Sequence, residues 1–120
     1  MINRRLALSS VLALSFIGVA APASAHARLI SSAPARDARV ASPASLRLTF
    51  SERAVPAFST LEIADSQGRA VPVRVTVSQD GLTLTGVPGR RLEAGLHTVT
   101  WRIATSDGHR MTGSYTFTVG

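Results

Sequence analysis

The stretch HTVTWRIATSDGHRMTGSYTFTV, His97 to Val119, decides the fold. His97, Val99, Trp101 and Ile103 alternate with Thr98, Thr100 and Arg102, and Tyr115, Phe117 and Val119 alternate with threonines. Side chains at a spacing of two share one face of an extended strand. Each run therefore has one face for a core and one for water. Trp101 reads as core, and His97 shares its face, which makes it a structural histidine at a strand start. Between the runs stands Ser106-Asp107-Gly108, a turn signal.

The same period recurs outward from this stretch. Leu46, Leu48 and Phe50 alternate with Arg47, Thr49 and Ser51, and Leu61 and Ile63 precede the turn DSQGR. Val71, Val73, Val75 and Val77 point one way, with Pro72 marking an edge or a strand start. SQDG then turns the chain into Leu82-Thr83-Leu84-Thr85, and GVPGRRLEAG, residues 86–95, reads as a loop. With a short strand at 26–31, about seven strands follow one another at turn-separated intervals. No amphipathic helix, internal repeat or linker interrupts them. Strands with one wet and one buried face pack as two sheets face to face. The expectation is an all-β, seven-stranded Greek-key sandwich of immunoglobulin or cupredoxin type.

The first 25 residues read differently. Arg4-Arg5 form a short positive region, Leu6 to Ala21 an apolar one, and Ala23-Ser24-Ala25 a cleavage site. That is the three-part pattern of a secretory signal peptide, not of a membrane span. Export through the general secretory route is the default, with the twin arginine a weak pointer to the Tat route. The domains are thus 1–25, signal peptide, and 26–120, folded domain in the periplasm. The mature chain begins with His26. It is small enough that oxidising compartments often add disulfides to its kind, yet the sequence has no Cys. All 13 basic residues are arginines, and without Arg4 and Arg5 the balance against seven acids is about +4. The arginines are scattered and lack interleaved aromatics, which argues against a nucleic-acid partner.

Few side chains can carry chemistry. The histidines are His26, His97 and His109; the acids are Asp37, Glu52, Glu62, Asp65, Asp80, Glu93 and Asp107. Asp107 and His109 stand two apart, on one side of an extended backbone, and Gly108 permits a tight conformation between them. The plain alternative is a turn followed by an incidental histidine. An N-terminal His26 offers an α-amine and an imidazole from one residue, which close a chelate ring on a metal. The amine titrates near about 7.7–8.0, so a strong Lewis acid displaces its proton at neutral pH. Amine, imidazoles and one carboxylate in a square plane suit Cu(II).

The segments HARLISSAPA, LRLTFSERAVPAFSTLEIADSQGRAV and LEAGLHTVTWRIATSDGHRMTGSYTFTV resemble the CopC family of periplasmic copper-resistance proteins along nearly the whole mature chain. The resemblance implies a seven-stranded β-sandwich that binds one Cu(II) near one end. It places the family's N-terminal His on His26 and its Asp-Gly-His on Asp107, Gly108 and His109. Its Glu after LTFS falls on Glu52, as an outer or weak ligand. It implies a monomeric protein that is not an enzyme. Such a protein sequesters copper or passes it in trans to an inner-membrane copper transporter. The sequence departs from the family in three places. It lacks a methionine cluster, having Pro and Ala in ERAVPAFST. Arg110-Met111 replaces the usual Pro-Val, which puts a soft sulfur two residues after His109. His97 stands where relatives usually have Tyr. Two other classes compete: a histidine-brace copper redox enzyme, and a metal-free immunoglobulin-like interaction module. Peroxide production by the copper-loaded protein with ascorbate separates out the first, and copper titration followed by EPR the second.

Overall fold

A computed structural model describes residues 28–120. Its strands, in chain order, are β1 Leu29–Ala33, β2 Arg39–Val40, β3 Leu46–Phe50, β4 Thr60–Ala64, β5 Ala70–Val71, β6 Val73–Val77, β7 Thr83–Pro88, β8 Gly95–Ala104 and β9 Arg110–Val119. A short 3-10 turn, Pro56–Phe58, joins β3 to β4. One sheet has the order β1-β3-β7-β6 and the other β2-β9-β8-β4-β5. All pairings are antiparallel except the two-residue contact of β2 with β9. The Greek-key β-sandwich expected from the alternation is therefore the fold.

Six of the strands lie where the alternation falls, and β1, Leu29–Ala33, overlaps the short strand expected at 26–31, whose first two residues lie outside the described ones. The other two, β2 and β5, have two residues each, too few for a period to register. β5 exposes a correction. The valines 71 to 77 do not form one strand, because Val71 pairs with Ile63 of β4 while Val73 pairs with Pro88 of β7. The chain leaves one sheet and joins the other at Pro72. Proline has no N–H to give a ladder, so a break there forfeits no donor, and its carbonyl accepts from Gly89 N–H at 2.7 Å. A second correction concerns 86–95. β7 runs on through Gly86-Val87-Pro88 before the loop begins, although Gly and Pro mask its pattern in the sequence. β9 likewise begins at Arg110, five residues before its apolar alternation does, because the segment 110–114 is mostly polar and half exposed.

The inward positions make one core. Leu46, Leu48 and Phe50 from one sheet meet Leu61, Ile63, Val99, Trp101, Ile103, Tyr115 and Phe117 from the other, all 7% exposed or less. Full burial of such a side chain is worth roughly 1.5–3 kcal/mol. Phe50 meets Trp101 edge-on at 5.1 Å, which ties the two sheets together near one end of the sandwich. Gly113, the cross-strand partner of Trp101, makes room for the indole. A Cβ built on Gly113 would stand 2.2 Å from Trp101 Cζ2. Gly113→Ala should therefore overpack this corner and cost about 1–3 kcal/mol. For a domain of this size that lowers Tm by roughly 4–8 °C per kcal/mol. Thermal unfolding followed by Trp101 fluorescence measures it, and an unchanged Tm would mean that the indole is not held where it stands.

Candidate metal centre

The long β8–β9 hairpin carries the site at its tip. Its loop is closed by Thr105 N–H donating to the His109 carbonyl at 2.9 Å and Gly108 N–H to the Thr105 carbonyl at 3.0 Å. Gly108 has φ +87° with open space around its α-carbon, so glycine is needed there for backbone conformation and not for clearance. This bend turns Asp107 and His109 toward each other. Asp107 Oδ2 lies 2.7 Å from His109 Nδ1. Asp107 Oδ1 accepts the Thr105 hydroxyl proton and, at 3.2 Å, His109 N–H. Both side chains are about half exposed.

These donors decide the charge of Asp107. The Thr105 hydroxyl, then the His109 ring and backbone N–H, hold its carboxyl well below the usual carboxylate range. The group remains an anion deep into acid. The geometry also fits a metal. Two donors at right angles, each bonded at about 2.0–2.1 Å, stand about 2.8–3.0 Å apart. The Nδ1–Oδ2 separation of 2.7 Å is close to that. A cation held at right angles by both atoms sits off the line between them, so the pair keeps its spacing while the imidazole turns toward the metal.

Glu52 lies in the same part of the molecule. A cleft of about 390 Å³ is lined by Ser51, Glu52 and Arg53 with Thr105, Ser106 and Asp107. The backbone holds these segments together, for Val55 N–H donates to the Ala104 carbonyl at 2.8 Å. Arg28, the first described residue, is tied to the same corner: its N–H donates to Ser51 Oγ at 2.8 Å and Ser51 N–H to its carbonyl at 2.9 Å. His26 and the expected signal peptide, 1–25, lie outside the described residues. Among the described residues no three His, Cys, Asp or Glu side chains gather at metal-binding spacing. The structure thus brings Asp107 and His109 together and puts Glu52 in one cleft with Asp107.

His97 is elsewhere. It is 1% exposed near the start of β8, with Nδ1 3.0 Å from the Gly95 carbonyl and its ring stacked on Phe117 at 5.5 Å. Seven residues separate it from Ala104 along β8, about 23 Å at the usual rise. It belongs to the core, as its parity with Val99 and Trp101 implies. Met111 faces Ile103 across the hairpin and packs against the core edge. Sequence reasoning missed Thr105, which is 6% exposed and bonded to Asp107. The signal was present as a hydroxyl residue two positions before an Asp-Gly turn, a common local hydrogen-bonding pattern.

Fold and site together define a class: a small antiparallel sandwich whose hairpin tip presents a carboxylate and an imidazole to solvent at metal-ligand spacing. Within that class the chain belongs to the CopC family, whose domain model matches residues 29–120. Copper resistance protein C of Escherichia coli is 38% identical over 111 residues, 86% of this chain and 88% of that one. Copper resistance protein C of Pseudomonas syringae pv. tomato is 38% identical over 108 residues, 84% and 86% of the two chains. Among solved structures, PcoC, a methionine-rich copper resistance protein from Escherichia coli, superposes with a TM-score of 0.73 at 36% identity, covering 80% of this chain and all of that one. CopC from Methylosinus trichosporium OB3b gives a TM-score of 0.73 at 33% identity, over 78% and 93%.

Proposed function

We propose that this protein is a periplasmic Cu(II)-binding protein that sequesters copper for resistance, or hands it in trans to an inner-membrane copper transporter. The observation that carries the reading is the Asp107–His109 pair, 2.7 Å apart at the tip of a CopC-family sandwich. Copper is the cargo, one Cu(II) per monomeric chain. The equatorial donors are the His26 amine and imidazole, Asp107 Oδ2 and the His109 imidazole, with Glu52 as an outer or weak ligand. Two residues of chain reach at most about 7 Å, so a donor residue two positions before Arg28 has the Ser51–Glu52 corner within range. Cleavage after Ala25 of the 1–25 signal peptide places the mature chain, 26–120, in the periplasm and releases the amine.

Substitution separates the roles. His109→Ala and Asp107→Ala should each remove an equatorial donor, change the Cu(II) EPR spectrum and weaken binding by more than about a hundredfold, beyond the usual range for outer-layer groups. Glu52→Ala should have a smaller effect. His97→Ala should leave copper binding intact while destabilising the fold by about 2–4 kcal/mol, the order expected for a large buried side chain. Copper titration by EPR, paired with denaturant unfolding, reads both effects. Loss of copper by a folded His97→Ala protein would overturn the assignment.

A further inference from the structure

Thr105 directly follows β8 at the mouth of the cleft that holds Asp107 and Glu52. It is 6% exposed, and both of its backbone polar groups are engaged in the loop, N–H to the His109 carbonyl and C=O to Gly108 N–H. Its side chain is β-branched and therefore stiff about χ1. The hydroxyl is thus held by its own backbone.

A hydroxyl has one proton to donate. Two acceptors lie within reach of Thr105 Oγ1, namely Asp107 Oδ1, in a short contact, and the His109 carbonyl at 3.4 Å. The carbonyl already receives Thr105 N–H at 2.9 Å. A hydrogen bond to an ionised carboxylate is also the stronger of the two. The proton therefore goes to Oδ1, which His109 N–H also approaches at 3.2 Å. Oδ1 is occupied by these two donors, and Oδ2 is turned to the His109 ring.

We propose that Thr105 is the positioning residue of the metal centre: by tying down Oδ1 it makes Asp107 a one-oxygen ligand through Oδ2. The proposal rests on the Cu(II) reading above. Its consequence is stereochemical. A carboxylate that binds through both oxygens takes two positions of a square plane and displaces a nitrogen. A carboxylate held at Oδ1 takes one position and leaves three for nitrogen donors. Without the hydroxyl, Oδ1 keeps only the 3.2 Å bond from His109 N–H, which leaves an exposed Asp107 more able to chelate through both oxygens or to turn to water.

The test compares Thr105→Val, which keeps the shape and loses the hydroxyl, with Thr105→Ser, which keeps the hydroxyl. Thr105→Val should weaken Cu(II) binding about 10- to 100-fold, the range for groups that orient metal ligands, and shift the parallel hyperfine splitting in EPR. Thr105→Ser should keep the wild-type affinity and spectrum. Trp101 fluorescence and far-UV circular dichroism of the metal-free proteins establish that they fold. If Thr105→Val fails to fold, Thr105→Ala carries the same expectation. A folded Thr105→Val protein with wild-type affinity and spectrum, beside an Asp107→Ala protein that has lost both, overturns the positioning role. Failure of Thr105→Ser to restore binding overturns it as well, since the requirement is then for the methyl group. If Asp107→Ala too leaves spectrum and affinity unchanged, the Cu(II) assignment itself falls, and the role of Thr105 with it.

Discussion

Leaving a single residue ahead of His26, such as a glycine from an expression tag, should weaken Cu(II) binding by several orders of magnitude. Acylating the amine turns a basic donor into an amide and opens the chelate ring that amine and imidazole form together. Two donors on one residue act with a high effective concentration, so losing one weakens the other. Asp107 and His109 are about half exposed, and Asp107 lines a cleft that Glu52 also lines. Without His26 the hairpin tip offers a cation only the Asp107 carboxylate and the His109 imidazole, a weak set for holding Cu(II) against competing chelators. The experiment is a competition titration of the chain beginning at His26 against one beginning Gly-His26, with EPR as the second readout. Equal affinity would exclude the amine as a ligand. The same measurement on chains cleaved in vivo, followed by native mass spectrometry, reads the mature N-terminus and the copper stoichiometry together.

The architecture was legible because most of its strands are half-buried. Leu46-Arg47-Leu48-Thr49-Phe50 buries every second residue, with Leu46, Leu48 and Phe50 at 1% exposure or less. Val99, Trp101 and Ile103 are likewise buried, at 7% exposure or less. Where burial and period part company, the reading failed. Val71 and Val73 share a parity but belong to different sheets, and no period can report a sheet change. Pro72 was the available signal, and it marks the crossing. At the site, the spacing of Asp107 and His109 was enough to bring them together, because one glycine and one hairpin separate them. Glu52 is 55 positions from Asp107, and its place beside the cleft follows from the contact of residues 51–55 with Gly81, Ala104 and Arg28. Such contacts between distant segments leave no local trace in a sequence. Thr105 was overlooked for a different reason: a buried threonine at a strand end has the same local pattern whether or not its hydroxyl holds a ligand.

Reduction should release the copper. The proposed donors are an amine, two imidazoles and a carboxylate, which suit the square-planar Cu(II) ion, whereas Cu(I) prefers thiolate and thioether. The chain has no Cys and two Met, of which Met1 lies in the proposed signal peptide and Met111 packs against the core edge. Here it differs from its structural neighbour PcoC, which is methionine-rich. The stretch from Ser51 to Ser59 offers carbon, oxygen and nitrogen but no sulfur. Competition with a Cu(I) chelator under anaerobic reducing conditions should strip the metal from a protein that resists a Cu(II) chelator in air. Tight retention of Cu(I) would point to a soft site, with Met111 beside His109 the first place to look. Acid should release Cu(II) by another path, and its direction follows from the charge of Asp107. A carboxyl held below its ordinary range is an anionic donor at every pH above that depressed value, and is lost only as pH falls through it. The amine and imidazoles must give up protons to bind, so they regain them first as pH falls. Copper should therefore leave while Asp107 is still ionised, with nitrogen hyperfine structure disappearing from the EPR spectrum before the carboxylate takes up a proton. An infrared titration of the Asp107 carboxylate against the EPR signal gives the order of the two events. Simultaneous loss would mean that the carboxylate, and not the nitrogen donors, sets the pH at which copper is released.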